Sequence, residues 1–226
     1  MLKKTSKLET TYNGELFIDD DTKKKIKEVW DDFIKDKDPN DFWDGDIYSA
    51  TEINTEVPSI KVSKTKFSTL IYAKKDDNFS FSPVSSAGYV ITSDNFMFII
   101  LDKTDKLNFI GGLAADEDII NDKFDYNACL FREFKEELGI DLNDESFEVN
   151  LKYFKYPGAN ERIGTGSIFE IRTKYTSKEL QELFNNNNHD DEVKELKFYN
   201  KDNYKEIYNC KAKGNWFYEV FEEFYK

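Results

Sequence analysis

The stretch REFKEELGI, residues 132–140, decides how the rest of the chain is read. On a helix, Glu133, Glu136 and Glu137 stand at i, i+3 and i+4, so three carboxylates project from one face. Phe131, Phe134 and Leu138 take much of the opposite side, and Gly139 closes the helix as its left-handed cap. Arg132 lies four residues before Glu136 and is one of only three arginines, with Arg162 and Arg172. A guanidinium fork that orients a glutamate is a better use for it than solubility. Three neighbouring carboxylates repel one another, and a hard divalent cation relieves that more completely than water does. A solvated helix face is the competing reading of the glutamates alone. The register of arginine, glycine and apolar positions around them favours a motif.

Composition narrows the function classes. The chain has 226 residues, 32 Lys+Arg against 45 Asp+Glu, and a net charge of -13. An acidic chain without a basic block lacks the footprint for duplex nucleic acid or an anionic membrane. With one histidine, His189, zinc sites of several histidines and most histidine triads lack their raw material. Cys129 and Cys210 fit no metal spacing and read as reduced thiols. The opening MLKKTSKLETTYNGE has charge but no apolar core, which predicts no secretory leader. The longest apolar run, 96–101, is too short to cross a bilayer. The expectation is a cytoplasmic protein, monomer or homodimer.

Outward from the motif, periodicity predicts a helix over 21–36, then a loop from 38 to 45 carrying Phe42 and Trp43. Strands follow at 47–53, 59–63 and 66–74, and a polar turn at 75–78 marks the best internal boundary. A β-hairpin pattern covers 85–92 and 96–101, and a short strand at 107–110 runs into Gly111 and Gly112. The acidic stretch 116–125 reads as irregular, and the motif helix is expected from about 126 to 138. Strands at 147–156, 166–175 and 193–199 and helices near 178–184 and 216–225 complete the chain. Strands outnumber helices and interleave irregularly, which predicts an α+β fold with a mixed sheet. Two regions are expected: residues 1–79, a helix with strands, and residues 80–226.

Residues 132–140 resemble one half of the Nudix box, REUxEExGU, where U is a bulky apolar residue. Upstream, NFIGGL at 108–113 is similar to the entry of that box, with Ile110 where a proline usually stands. From Gly112 to Arg132 the chain counts 20 positions where the family has 14, so about six residues are inserted. Glu117 or Asp118 takes the place of the loop glutamate, with Glu117 assigned to the metal. The resemblance implies an α/β/α sandwich and metal-dependent hydrolysis of a nucleoside diphosphate linked to another moiety. It implies that Glu133, Glu136, Glu137 and Glu117 hold Mg2+ or Mn2+, that Arg132 orients the cluster, and that Gly111, Gly112 and Gly139 shape the backbone. Glu133 or an acid of the later loop, Asp190, Asp191 or Glu192, serves as general base, with Glu192 put forward.

The substrate implied is a small nucleotide. TKFSTLIYAK at 65–74 and SPVSSAGYVITSD at 82–94 resemble the branch that cleaves UDP-sugars; ADP-ribose is the alternative, and a nucleotide sensor without turnover is a further one. Lys64, Lys66 and Arg162 are candidate phosphate contacts. Phe42, Trp43, Tyr48 and Tyr156 are aromatics able to stack on a base.

Overall fold

The computed structural model describes residues 1–37, 43–158, 164–212 and 215–225. Two strands that the periodicity does not announce open the chain, β1 (Leu2–Lys4) and β2 (Glu9–Glu15). Helix α1 (Asp20–Ile34) starts where the Asp19 carboxylate accepts the Thr22 N–H at 2.9 Å, a cap for an otherwise unpaired end amide. Strands β3 (Asp46–Asn54) and β4 (Ser59–Lys66) follow. β4 is the centre of a three-stranded sheet, parallel to β2 and antiparallel to β3. The stretch 66–74, expected as a strand, is helix α2 (Phe67–Ala73). Its alternation misleads because Ser68, Thr69, Ile71 and Tyr72 are all buried, so no solvent face marks the period. The Asp44 carboxylate accepts the Ser68 N–H at 2.7 Å and starts that helix from outside it.

The next strands build the larger sheet. β5 (Val84–Ile91) and β6 (Met97–Asp102) form the hairpin expected from their alternation, with Asn95 at φ 64 in the turn. The strand expected at 107–110 divides at the buried Phe109 into β7 (Leu107–Asn108), beside β6, and β8 (Ile110–Leu113), beside β5. The stretch 116–125 is more regular than expected. A 3-10 turn over Asp116–Asp118 leads into a small hairpin, β9 (Ile119–Ile120) and β10 (Lys123–Phe124). Asn121 and Asp122, at φ 50 and 57, occupy its turn, as residues that tolerate the left-handed region do. Then come α3 (Tyr126–Leu138), β11 (Phe147–Lys155), β12 (Thr165–Thr173), α4 (Ser177–Asn186), β13 (Val193–Tyr199) and α5 (Asn215–Tyr225).

The larger sheet runs β1-β11-β12-β5-β6-β13, with β12 parallel to β5 and the other neighbours antiparallel. This is the mixed sheet of an α+β fold. One face carries Leu130, Phe134 and Leu138 of α3 and Leu180 and Phe184 of α4, against Val90, Phe98 and Phe169. The other carries Phe217, Val220 and Phe221 of α5 against Met97, Ile99 and Phe109. Helices therefore cover both faces, and burial of these side chains at about 25 cal/mol per Å2 holds the layers together. A third cluster joins Leu8, Tyr48, Ile60 and Val62 to Val84, Ala114, Phe124 and Cys129. The boundary expected at residue 80 thus has this cluster and the β1–β11 pairing crossing it.

One half-buried cation has a measurable signature. Lys155, at the end of β11, holds Nζ 4.8 Å from the Trp216 ring centroid. Burial pushes its amine down to about 8. Between pH 8 and the ordinary lysine value the unfolded chain binds the extra proton, so stability rises with pH across that window. Lys155 keeps part of its surface in solvent and its ring contact offsets part of the cost. Lys155→Met is therefore expected to raise stability by about 1 kcal/mol at pH 7, a gain that shrinks towards pH 10. Urea titrations at the two pH values check it; an equal gain at both would show that packing, not charge, is responsible.

Candidate active site

Helix α3 is built to hold its charged face in one place. Asp125 caps it, accepting the N–H groups of Asn127 and Ala128 at 2.9 and 3.0 Å. Gly139 ends it at φ 66, with its N–H on the Lys135 carbonyl at 3.0 Å. A Cβ at Gly139 would lie 2.6 Å from the Asn188 carbonyl oxygen, so the position needs glycine for space as well as for conformation. Leu130, Phe134 and Leu138 fix the sheet side, which leaves Arg132, Glu133, Glu136 and Glu137 facing the loops around the helix.

Arg132 is the hub. Its Nη1 lies 2.8 Å from Glu133 Oε1 and 2.9 Å from Glu136 Oε2. Its Nη2 donates to Asp118 Oδ2 at 2.9 Å and to the Leu113 carbonyl at 3.0 Å, and its Nε donates to Asp118 Oδ1 at 3.3 Å. The fork expected for Glu136 alone therefore joins three carboxylates and a backbone oxygen, the geometry for which a guanidinium is suited and an ammonium is not. Of the two loop acids, Asp118 is 1% exposed and faces the helix, while Glu117 is 64% exposed at the side chain and 3.9 Å from Arg132 Nε. Asp118 also accepts the Ala115 N–H at 2.9 Å, closing its own turn.

The paired glycines let two carboxylates lie against backbone. Gly111, at φ 141, passes so close to β5 that a Cβ would stand 2.2 Å from the Ser86 oxygen. Its N–H donates to Glu137 Oε2 at 3.0 Å. At Gly112 a Cβ would fall 2.4 Å from Glu133 Oε1. Ile110, in place of the usual proline, is fully buried and registers with Gly88.

Burial pushes Glu133 up to about 7, against the pull of Arg132. It pushes Glu137 up to about 8, with Glu133, Asp190 and Glu192 adding to the shift. Desolvation of the charged form is the main cause in each. The loop before β13 contributes because it is seated on the end of α3. Asn187 Nδ2 donates to the Gly139 carbonyl at 2.9 Å, and the Asp190 N–H donates to the Glu136 carbonyl at 2.8 Å. Glu192 and Glu137 line one cleft of about 130 Å3 with Asp102, Lys103, Thr104 and Asn108. Asp191 points away, exposed, 3.6 Å from Lys103. Lys103 escapes sequence reasoning because it carries no motif, and Asn108, although it opens the 108–113 stretch, is given no role there; the β6–β7 pairing sets Asn108 opposite Ile100 in the same cleft.

The other candidates are spread differently. Lys66 is paired with Asp46 at 2.5 Å, and Lys64 bridges Asp46 and Asp116 at 2.7 and 2.8 Å, so carboxylates already meet both lysines. Tyr48 is buried, and its hydroxyl donates to Asp116 Oδ1 at 2.8 Å. Trp43 is exposed, and Tyr156 packs on Phe154 with ring centroids 5.4 Å apart. Arg162 and Phe42 lie outside the described residues.

Among the described residues, no three acidic, histidine or cysteine side chains are posed around one point. The donor chemistry nevertheless fits a hard cation. Glu137 is buried with a neutral N–H as its hydrogen-bond partner, beside the half-buried Glu133 carboxylate, and all the donors are oxygens.

No protein-family model matches the chain, and no curated protein does. Solved structures do. A Deinococcus radiodurans protein is 13% identical over 80% of this chain and 99% of its own, with a TM-score of 0.49. A Nudix hydrolase from Nitrosomonas europaea is 12% identical over 63% and 88%, with a TM-score of 0.42. A Nudix-family hydrolase from Clostridium perfringens is 17% identical over 57% and 88%, with a TM-score of 0.36. In the residues of its box, the chain resembles the Nudix hydrolases.

Proposed function

We propose that this protein is a Nudix-type pyrophosphohydrolase, which attacks the diphosphate of a nucleoside diphosphate linked to a second moiety and releases a nucleoside monophosphate and a phosphorylated product. The observation that carries the reading is the Arg132 guanidinium set between Asp118, Glu133 and Glu136, with Glu137 tied to the Gly111 N–H on the same helix. A plain solvated face needs neither the buried carboxylates nor the glycines that admit them.

Glu133, Glu136 and Glu137 would hold Mg2+ or Mn2+, with Glu117 as the loop ligand. When bound, the cation neutralises charge on the diphosphate oxygens and lowers the pKa of water. The chain's own residues do the rest. Arg132 fixes the glutamates, and the Gly111 N–H orients Glu137. Glu192, across the cleft from Glu137, and Glu133 are the carboxylates offered to take the proton of the attacking water. Lys103 brings a cationic group to that cleft, and Lys66 and Arg162 are the phosphate contacts proposed beyond it. We assign residues 1–79 to substrate choice and residues 80–226 to hydrolysis. UDP-sugars are the first substrate class to test, on the resemblance of 65–74 and 82–94, and ADP-ribose is the second.

The test incubates the protein and Mg2+ with UDP-glucose, ADP-ribose, a dinucleoside polyphosphate and nucleoside triphosphates, and identifies products by mass. Release of a nucleoside monophosphate from a diphosphate-linked substrate is expected. A folded protein that turns over none of these with Mg2+ or Mn2+ would sink the reading.

A further inference from the structure

The loop that carries Asp118 is held at both ends by the three-stranded sheet. On one side, Lys64 Nζ sits 2.8 Å from Asp116 Oδ2 and 2.7 Å from Asp46 Oδ2, and the Tyr48 hydroxyl donates to Asp116 Oδ1 at 2.8 Å. On the other, the Tyr12 N–H donates to the Asp122 carbonyl at 2.9 Å and the Thr10 hydroxyl to the Phe124 carbonyl at 2.7 Å. Asp118 lies between these anchors, and its carbonyl accepts the Asp125 N–H at 2.8 Å. A single 3-10 turn has poor hydrogen-bond geometry and little stability of its own. Residues whose own side chains are locked by surrounding hydrogen bonds hold a site more accurately than a free loop can.

We infer that Lys64 is a positioning residue: through Asp116 it fixes the turn that aims Asp118 at Arg132, so the three-stranded sheet sets the geometry of the box. The catalytic consequence rests on the proposed hydrolase reading; the structural one does not. Lys64 suits this role better than direct phosphate binding, because the two carboxylates beside its ammonium already neutralise it and would repel an incoming phosphate. The inserted residues then have a use. They lengthen the loop enough for both its turn and its hairpin to reach the sheet.

The test uses the full-length protein with Lys64→Met, Lys64→Arg, Asp116→Asn and the Lys64→Met/Asp116→Asn double variant. Tyr48→Phe is added because it keeps the packed ring and removes only the donor. Three quantities are read: amide hydrogen exchange at Ala115, Asp118 and Asp125 without metal, and kcat and KM with Mg2+. Lys64→Met is expected to speed exchange at these amides about tenfold and to lower kcat about tenfold to a hundredfold with KM within about twofold. Asp116→Asn should match it, the double variant should be no worse than either single, and Lys64→Arg should recover most of the loss. Tyr48→Phe should speed exchange in the same direction. A raised KM with unchanged kcat and unchanged exchange makes Lys64 a phosphate contact and overturns the inference, as do additive losses in the double variant. Should the wild type show no turnover, the hydrolase reading falls, and the exchange data still decide whether the lock exists.

Discussion

Glu137→Gln is expected to lower kcat about 10²–10⁴-fold under saturating Mg2+, and to make the metal-free protein about 1–3 kcal/mol more stable at pH 8. The two effects have one cause. Glu137 is 5% exposed, next to the half-buried Glu133 carboxylate, and receives the Gly111 N–H at 3.0 Å. Glutamine keeps an oxygen for that N–H and keeps the shape, so the fold has no reason to move. What it removes is a charge that burial disfavours and that cation binding requires. A site kept at the expense of stability gains stability when the working group is neutralised. Turnover assays and chelator-treated thermal melts on the same preparation check both parts. Wild-type turnover in the variant would remove Glu137 from the proposed site, and a lower melting temperature would show that its charge is compensated in a way the geometry does not suggest.

What could be read from sequence divides along a physical line. The helix at 126–138, its glycine stop and the 84–102 hairpin depend on local periodicity and local caps, and they stand within a residue or two of where the pattern puts them. Helix α2 does not, because packing on every side erased the solvent face that tells a period of two from 3.6. The β9–β10 hairpin has strands too short to carry any period, although Asn121-Asp122 was a usable turn signal. The candidate site shows the same division. The Arg132–Glu136 approach follows from i,i+4 spacing within one helix. That Asp118 and not Glu117 takes both the Nε and Nη2 donors of Arg132 depends on the path of the inserted loop, which spacing does not encode. Lys64 is a case where charge alone does not tell two roles apart. In an acidic chain a lysine near the site suggests a phosphate contact, whereas the β3–β4 register sets Lys64 near Asp46 and the loop brings it Asp116.

Arg132→Met should destabilise the metal-free protein by about 3–5 kcal/mol, the largest stability effect expected of any single substitution in the box. Methionine keeps much of the aliphatic stem, so packing changes little. The loss is electrostatic. Without the guanidinium, Asp118, 1% exposed, is left with neutral partners, the Ala115 N–H and the Cys129 thiol, and Glu133, 13% exposed at the side chain, loses the Arg132 cation. A buried carboxylate stripped of its partner costs far more than an exposed pair returns. Arg132→Lys separates charge from shape. An ammonium can neutralise one carboxylate but cannot reach both Asp118 oxygens, Glu133, Glu136 and the Leu113 carbonyl together, so about half of the loss should remain. Adding Asp118→Asn to Arg132→Met should restore part of it, since the amide needs no counter-charge. Urea titrations with unchanged slope measure all three. If Arg132→Met lies within about 1 kcal/mol of wild type, as exposed ion pairs do, Arg132 is not the hub. If the double variant only adds losses, Asp118 and Arg132 act independently, and the turn before α3 owes its position to the three-stranded sheet alone.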